Sequence, residues 1–367
     1  MSKIVISGYY GFANAGDEAM LTAMIEAFTA VDPEVKITVI SGNPEETRKR
    51  HGVDAVYRLN YPEIIRIMAN SHLLVSGGGS LLQDVTSDRS LYYYLSIMLL
   101  AEKIGLPVML YAQGIGPVRG SLAKAAMKYI GNKVDLITVR EEASCDELKA
   151  LGVTKPPIYV TADPVLALHP VDLGFGRDLL RRYNLEGVGP LIGVSAREWK
   201  DWAHYKKVMA AVLDEIVQDF GAKIVFLPMQ WPDDFRVSQI IKDKMRHQAV
   251  LLEEELTTTE FLSLMGNLDM LIGIRLHALI FAAVMQVPLI GVSYDPKIDR
   301  FLESIGDSQA GALHTVTVEE LMRRVKERWS EISTTNNIRK EHMRDLQNKA
   351  FRNAELALSL IESRKRG

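Results

Sequence analysis

Short β-branched runs alternate with longer amphipathic stretches over most of the chain. Lys3–Ser7, Lys36–Ser41, Leu73–Ser76, Val108–Ala112, Leu136–Arg140 and Ile158–Thr161 read as strands. Glu18–Ala30 and Leu122–Gly131, between them, carry helical periodicity. Strands that alternate with helices predict parallel βαβ units. The second half repeats the rhythm, with strands at Leu191–Ser195, Lys223–Leu227, Met270–Ile274 and Leu289–Ser293 and helices at Ala203–Phe220 and Thr259–Met265. Leu168–Pro190 holds two prolines, several glycines and mixed charges, and reads as a hinge or linker. The expected fold is therefore α/β, with two Rossmann-like, doubly wound domains. The expected divisions are 1–170, a linker at 171–190, a second domain at 191–314 and a helical tail at 315–367.

Length and composition agree with that division. The chain has 367 residues, and domains run to about 100–200 residues each. Hydrophobic residues make up 47% and charged residues 24%, an ordinary globular mixture. The net charge of −3 argues against a dedicated nucleic-acid binder, so no nucleic-acid partner is expected. Cys145 is the only cysteine, which precludes a disulfide within one chain and fits a reducing compartment. Met1–Gly8 runs straight into a strand pattern without an apolar signal core, and no apolar stretch approaches about 20 residues. A cytoplasmic location is expected. The tail is strongly charged and ends in Arg364-Lys365-Arg366. It reads either as a solvated helix face or as a helix packing back across the domains, its basic end near an anionic membrane surface.

In open parallel sheets, ligands sit beyond the carboxyl ends of the strands, and unusual residues recur there. The first strand runs into Gly8-Tyr9-Tyr10-Gly11-Phe12-Ala13-Asn14-Ala15-Gly16-Asp17-Glu18. The spacing is not that of a dinucleotide fingerprint, and no acidic residue follows the second strand in the required place. Asn14 or Asp17 is positioned to cap the next helix, and Asn14 and Gly16 are candidate substrate contacts. Leu73–Ser76 is followed by Gly77-Gly78-Gly79, which expose backbone amides, and then by Gln83. Gln113, Arg140 and Asp163 close the later strands of this half. Each is a helix cap or ion-pair member if taken alone; together they outline a crevice.

The strongest local signal is Gly273-Ile274-Arg275-Leu276-His277-Ala278, where a strand enters a short turn before an apolar helix. Arg275 and His277 precede free amides and a positive dipole end, which favour an anion. No acidic partner lies near them in sequence. Arg197, Gln230 and Lys297 also stand at strand ends, so Arg197, Arg275, His277 and Lys297 are expected to converge. Arginine suits bidentate contacts to carboxylate or phosphate, and lysine acts as a point charge. The other histidines lack paired metal-ligand spacing, and H-E-x-x-H, paired C-x-x-C and G-x-S-x-G motifs are all missing. No metal and no cofactor are expected.

The combination of Gly11–Ala19, Gly77-Gly78-Gly79, Gln113-Gly114-Ile115-Gly116-Pro117 and Arg275-Leu276-His277-Ala278 resembles the polysaccharide pyruvyl transferase family. The resemblance runs from the first strand to Lys297. It implies a GT-B-like fold whose two domains face each other across a cleft, the first binding acceptor and the second phosphoenolpyruvate. It implies phosphoenolpyruvate as a donor substrate and a lipid-linked sugar as acceptor. Within the family, the resemblance is greatest to the branch that makes a ketal on N-acetylmannosamine of a lipid-linked disaccharide. That product serves secondary cell wall polymer and S-layer anchoring, which would place the enzyme at the inner membrane face. The family motif carries over to Arg275 and His277, with Lys297 and one upstream arginine, either Arg140 or Arg197, completing the set. His277 would donate a proton, to the donor methylene or to departing phosphate, and Asp17 or Asp163 would deprotonate the acceptor. The alternative on the same architecture is a glycosyltransferase with a nucleotide-sugar donor. A non-catalytic sensor of an anionic metabolite is a third reading.

Overall fold

The computed structural model describes residues 1–84, 88–187, 189–200, 202–331 and 337–366. Two compact units emerge, one formed by Met1–Leu168 with Leu346–Gly367 and the other by His169–Asp345.

The first unit runs β1 (Lys3–Ser7), α1 (Ala15–Val31), β2 (Lys36–Ser41), α2 (Pro44–His51), β3 (Asp54–Tyr57), α3 (Tyr61–Ala69), β4 (Leu73–Ser76), α4 (Asp88–Lys103), β5 (Val108–Gln113), α5 (Ser121–Gly131), β6 (Leu136–Val139), α6 (Glu142–Ala150) and β7 (Ile158–Val160). The strands pair in parallel in the order β3-β2-β1-β4-β5-β6-β7. Successive side chains on a strand point to opposite faces, and both faces here are buried. Val5, Leu74 and Leu110 pack with α4 and α5 on one side, whereas Ile4, Ile6, Val75 and Met109 pack with α1 on the other. Strand order reverses between β1 and β4. The chain therefore opens a crevice at their carboxyl ends, where Gly8–Asn14 and Gly77–Ser80 lie.

The second unit runs α7 (Gly174–Arg182), β8 (Leu191–Ser195), α8 (Ala203–Phe220), β9 (Lys223–Phe226), α9 (Asp233–Lys242), β10 (Val250–Leu251), α10 (Thr258–Met265), β11 (Met270–Gly273), α11 (Leu276–Val284), β12 (Leu289–Gly291), α12 (Pro296–Ser304) and α13 (Val318–Glu331). Its sheet is parallel, in the order β10-β9-β8-β11-β12. Here the order reverses between β8 and β11, the strands that lead into Arg197 and Arg275. The expectation of two parallel-sheet, doubly wound α/β domains holds.

Local differences have physical causes. The strands β3 and β10 sit at the sheet edges; β10 has only two residues, and β3 buries just its two central residues between an exposed Asp54 and an exposed Tyr57, so neither shows the apolar run of an inner strand. Residues 171–190, expected as a linker, contain α7, which packs on α10 of the second unit. The Gly176 amide there donates to Ser263 Oγ at 2.9 Å. Gly176 lies so close to the Ser263 carbonyl and the Leu264 backbone that a Cβ would clash. The tail forms α13 and then α14 (Asn337–Arg366). From Leu346 onward α14 belongs to the first unit, where Ala354, Ala357, Leu358 and Ile361 join the β1–β4 core. Burial of each such Leu or Ile contributes about 1.5–3 kcal/mol, so this half of the tail is structural rather than a solvated face. The buried Asn353 fixes its register, accepting from Thr161 Oγ1 at 2.8 Å and donating to the Ala162 carbonyl at 3.3 Å. At the basic end, Arg364 pairs with Asp135; the side chains of Lys365 and Arg366 lie outside the described residues.

Candidate active site

The first unit gathers its polar residues around the β1/β4 reversal. Asn14 is the cap of α1, its side-chain oxygen accepting from the Gly16 and Asp17 amides at 3.0 and 3.3 Å. Behind it lies a buried dyad that sequence reading missed. Glu18 accepts from the Gly11 amide at 2.8 Å through one oxygen and meets His51 Nε2 at 2.7 Å through the other. The dyad anchors the glycine loop to α2, across 33 residues of sequence.

Gly77 and Gln113 meet directly. The Gln113 amide donates to the carbonyls of Ser76, at 3.2 Å, and Gly77, tying β5 to the end of β4. A Cβ on Gly77 would fall 2.2 Å from the hydroxyl of the buried Tyr10, so any larger residue there would force that ring to shift. Gly78 and Gly79 stand against Met20, and Gly78 also against Pro164. The glycines thus admit this unit's own side chains, and α4 begins only at Asp88 rather than directly after them. Gln83 lies under Gly116, where a Cβ would approach within 2.6 Å.

Arg140 and Asp163 form a closed group. Arg140 reaches Asp163 at 2.9 Å, Glu141 at 3.1 Å and Ser80 Oγ at 3.2 Å. Burial alone would lower the Arg140 pKa, but the Glu141 and Asp163 carboxylates outweigh it and raise it. With two carboxylates facing it, the guanidinium already has its charge offset. The other oxygen of Asp163 accepts from the Val165 amide at 3.1 Å. Both Asp163 oxygens are engaged, which sets that residue against the expected role of acceptor base. Asp17 is half-buried beside Gly79. Burial, and after it the Asp17 charge, push the phenols of Tyr9, Tyr10 and Tyr94 upward. Gly114 packs flat on Arg140, and a Cβ there would lie 2.6–2.9 Å from the guanidinium. Gly114→Ala is expected to displace Arg140 from Asp163 and lower unfolding free energy by about 1–3 kcal/mol. Urea denaturation would detect this, and an unchanged midpoint would refute it.

The second unit gathers its cations at the β8/β11 reversal. Arg275 is the N-cap residue of α11, and His277 lies in that helix's first turn, half-buried. The Arg275 side chain is only 10% exposed and pairs through Nη2 with Asp234. No acidic residue near the pair in sequence supplies this partner; it comes from α9, 41 residues away. Asp234, fully buried, also accepts from the Met229 and Gln230 amides at 3.1 and 3.0 Å. Gln230 therefore enters the group through its backbone. One carboxylate fixes both the arginine and the loop after β9. Arg275 Nε remains buried without a hydrogen-bond partner among the described residues.

Arg197 has no carboxylate within ion-pair distance among the described residues. Its guanidinium lies over the rings of Trp199 and Tyr294, at 5.4 and 4.9 Å from their centroids. Burial, and after it the charge of Arg275, lower its pKa. Lys297 Nζ lies 5.5 Å from the Tyr294 centroid and 3.7 Å from Asp295, whose other oxygen caps α12. Sequence reading missed Asp234, Trp199 and Tyr294. Their positions after β9, β8 and β12 were the available signal.

The sequence model of the family described as "Polysaccharide pyruvyl transferase" matches residues 14–296, from the cap of α1 to the start of α12. The chain belongs to the polysaccharide pyruvyl transferase family. It is similar to the amylovoran biosynthesis protein AmsJ of Erwinia amylovora, with 20% identity over 364 residues that cover 83% of this chain and 86% of AmsJ. Among solved structures, it is similar to the UDP-GlcNAc 2-epimerase of Methanocaldococcus jannaschii (TM-score 0.67, 12% identity, covering 97% of this chain and 99% of that one). It is also similar to S. aureus MnaA in its co-structure with UDP (TM-score 0.66, 11% identity, 97% and 94% covered). A third is Anabaena HepE in complex with UDP and glucose (TM-score 0.60, 10% identity, 100% and 99% covered). At such identities the likeness concerns the fold, which is GT-B-like. As a pyruvyl transferase family member, the chain is a transferase of polysaccharide biosynthesis.

Proposed function

We propose that the protein transfers pyruvate from phosphoenolpyruvate to a sugar as a ketal, the acceptor being N-acetylmannosamine of a lipid-linked disaccharide destined for secondary cell wall polymer. The observation that carries the donor assignment is the pair of arginines at the β8/β11 reversal. Among the described residues, Arg197 has no ion-pair partner and the buried Nε of Arg275 has no hydrogen-bond partner. Two neighbouring cations withdrawn from water repel each other, and a bound anion relieves that cost. Phosphoenolpyruvate offers both a phosphate and a carboxylate for such a clamp.

Arg197, rather than Arg140, is then the upstream arginine, because Arg140 is already held by two carboxylates. Arg197 and Arg275 hold the donor and Lys297 adds positive charge. His277 supplies a proton to the donor methylene, which makes the adjacent carbon electrophilic. One acceptor hydroxyl attacks that carbon, phosphate leaves, and a second hydroxyl closes the ketal. Of the two hydroxyl protons released, one balances the proton delivered to the methylene and the other leaves with phosphate. Asp17 accepts a proton from the acceptor, and the first unit binds that acceptor. A lipid-linked acceptor would bring the protein to the inner membrane face as a peripheral partner. No helix among the described residues is long and apolar enough to cross a membrane.

The test is a pair of assays on the purified protein with a panel of lipid-linked disaccharides, following phosphate release from phosphoenolpyruvate and UDP release from UDP-sugars. Acceptor-dependent phosphate release is expected. UDP release without phosphate release would replace this reading by a nucleotide-sugar glycosyltransferase.

A further inference from the structure

Tyr294 occupies an unusual position in the cationic group. Its ring lies 4.6 Å from that of Trp199, at an interplanar angle of 48°. The Arg197 guanidinium and the Lys297 ammonium lie 4.9 and 5.5 Å from its ring centroid. Its hydroxyl oxygen is buried and finds no hydrogen-bond partner among the described residues. A buried phenol ordinarily secures a partner, because an unmade hydrogen bond there costs the full desolvation of the group. The ring alone accounts for the packing and for the contacts with both cations, and phenylalanine would supply it equally well. The hydroxyl is what remains unexplained. Arg275 Nε, buried and unsatisfied beyond β11, is a second donor in the same condition. Anionic oxygen is the acceptor suited to unsatisfied donors in a field of arginines and lysine.

We infer that Tyr294 is a donor-binding residue, its hydroxyl donating a hydrogen bond to an anionic oxygen of the substrate held by Arg197 and Arg275. This rests on the reading of that substrate as phosphoenolpyruvate. The shared chemistry is an anionic oxygen, which either the phosphate or the carboxylate can supply. The ring of Tyr294 has a separate, positioning role, since with Trp199 it provides the faces on which Arg197 lies.

Tyr294→Phe removes only the hydroxyl and keeps both ring contacts. Titration calorimetry on the full chain would compare wild type and Tyr294→Phe with phosphoenolpyruvate, inorganic phosphate and pyruvate as probes. The expected result is phosphoenolpyruvate affinity about 10- to 100-fold weaker in the variant, with an unchanged thermal midpoint. The smaller probe whose binding weakens in parallel identifies the moiety that Tyr294 touches. Equal phosphoenolpyruvate affinity in the two proteins would overturn this inference and leave the donor reading standing. Absence of phosphoenolpyruvate binding by wild type would instead remove the donor reading itself, and this inference with it.

Discussion

His277→Ala is expected to slow phosphate release from phosphoenolpyruvate by about 10²- to 10⁴-fold, the usual contribution of a positioned general acid. The argument is positional. His277 stands in the first turn of α11, beyond the β8/β11 reversal and two residues after the buried Arg275. Amides at that helix end favour negative charge, so an anionic donor held there would lie against the imidazole. The side chain is half-buried and outside the apolar core, so its truncation leaves the fold intact. Single-turnover measurements at saturating donor should show the loss in the chemical step, with thermal stability and donor affinity near wild type. Turnover close to normal would remove His277 from the mechanism.

Asp234→Ala is expected to destabilise the second unit by about 3–5 kcal/mol, the typical result of removing one partner from a buried ion pair. Three donors lose their acceptor together: Arg275 Nη2 and the amides of Met229 and Gln230. Arg275 would keep its charge, since a guanidinium does not deprotonate in proteins, and would be left buried beside Arg197 with no carboxylate. Urea unfolding of Asp234→Ala, Arg275→Met and the double variant forms a cycle that isolates the pair. The double variant should recover part of the loss, because removing both charges is cheaper than stranding one. A cost for Asp234→Ala below about 1 kcal/mol, the range of exposed pairs, would show that the carboxylate is not what holds Arg275.

The strand runs and the residues at their ends were readable from local pattern. Backbone hydrogen bonding and alternating apolar burial act over a few residues, so Lys3–Ser7, Lys36–Ser41, Leu73–Ser76 and Leu191–Ser195 coincide with β1, β2, β4 and β8. The motifs at Gly8–Asn14, Gly77–Gly79 and Arg275–His277 were visible for the same reason, as polar or glycine-rich departures at the end of an apolar run. The family match over residues 14–296 begins at Asn14, the last residue of the first motif, and takes in the other two.

What local pattern could not supply was which charges meet. Arg140 and Arg197 looked alike in sequence, each an arginine just beyond a strand. Tertiary structure separates them: one is enclosed by Glu141 and Asp163, and the other lies on two aromatic rings beside Arg275. Likewise Asp234 finds Arg275 across 41 residues, and Asn353 finds Thr161 across 192. Sequence by itself determined most of the strands and the residue types at their ends, because those depend on neighbours along the chain; β3, β10 and α7 became visible only in the tertiary structure. Strand order decided the rest. Placing β8 beside β11 and β11 beside β12 brings Arg197, Arg275 and Tyr294 to one edge of the sheet, and electrostatic interaction depends on distance in space, not in sequence.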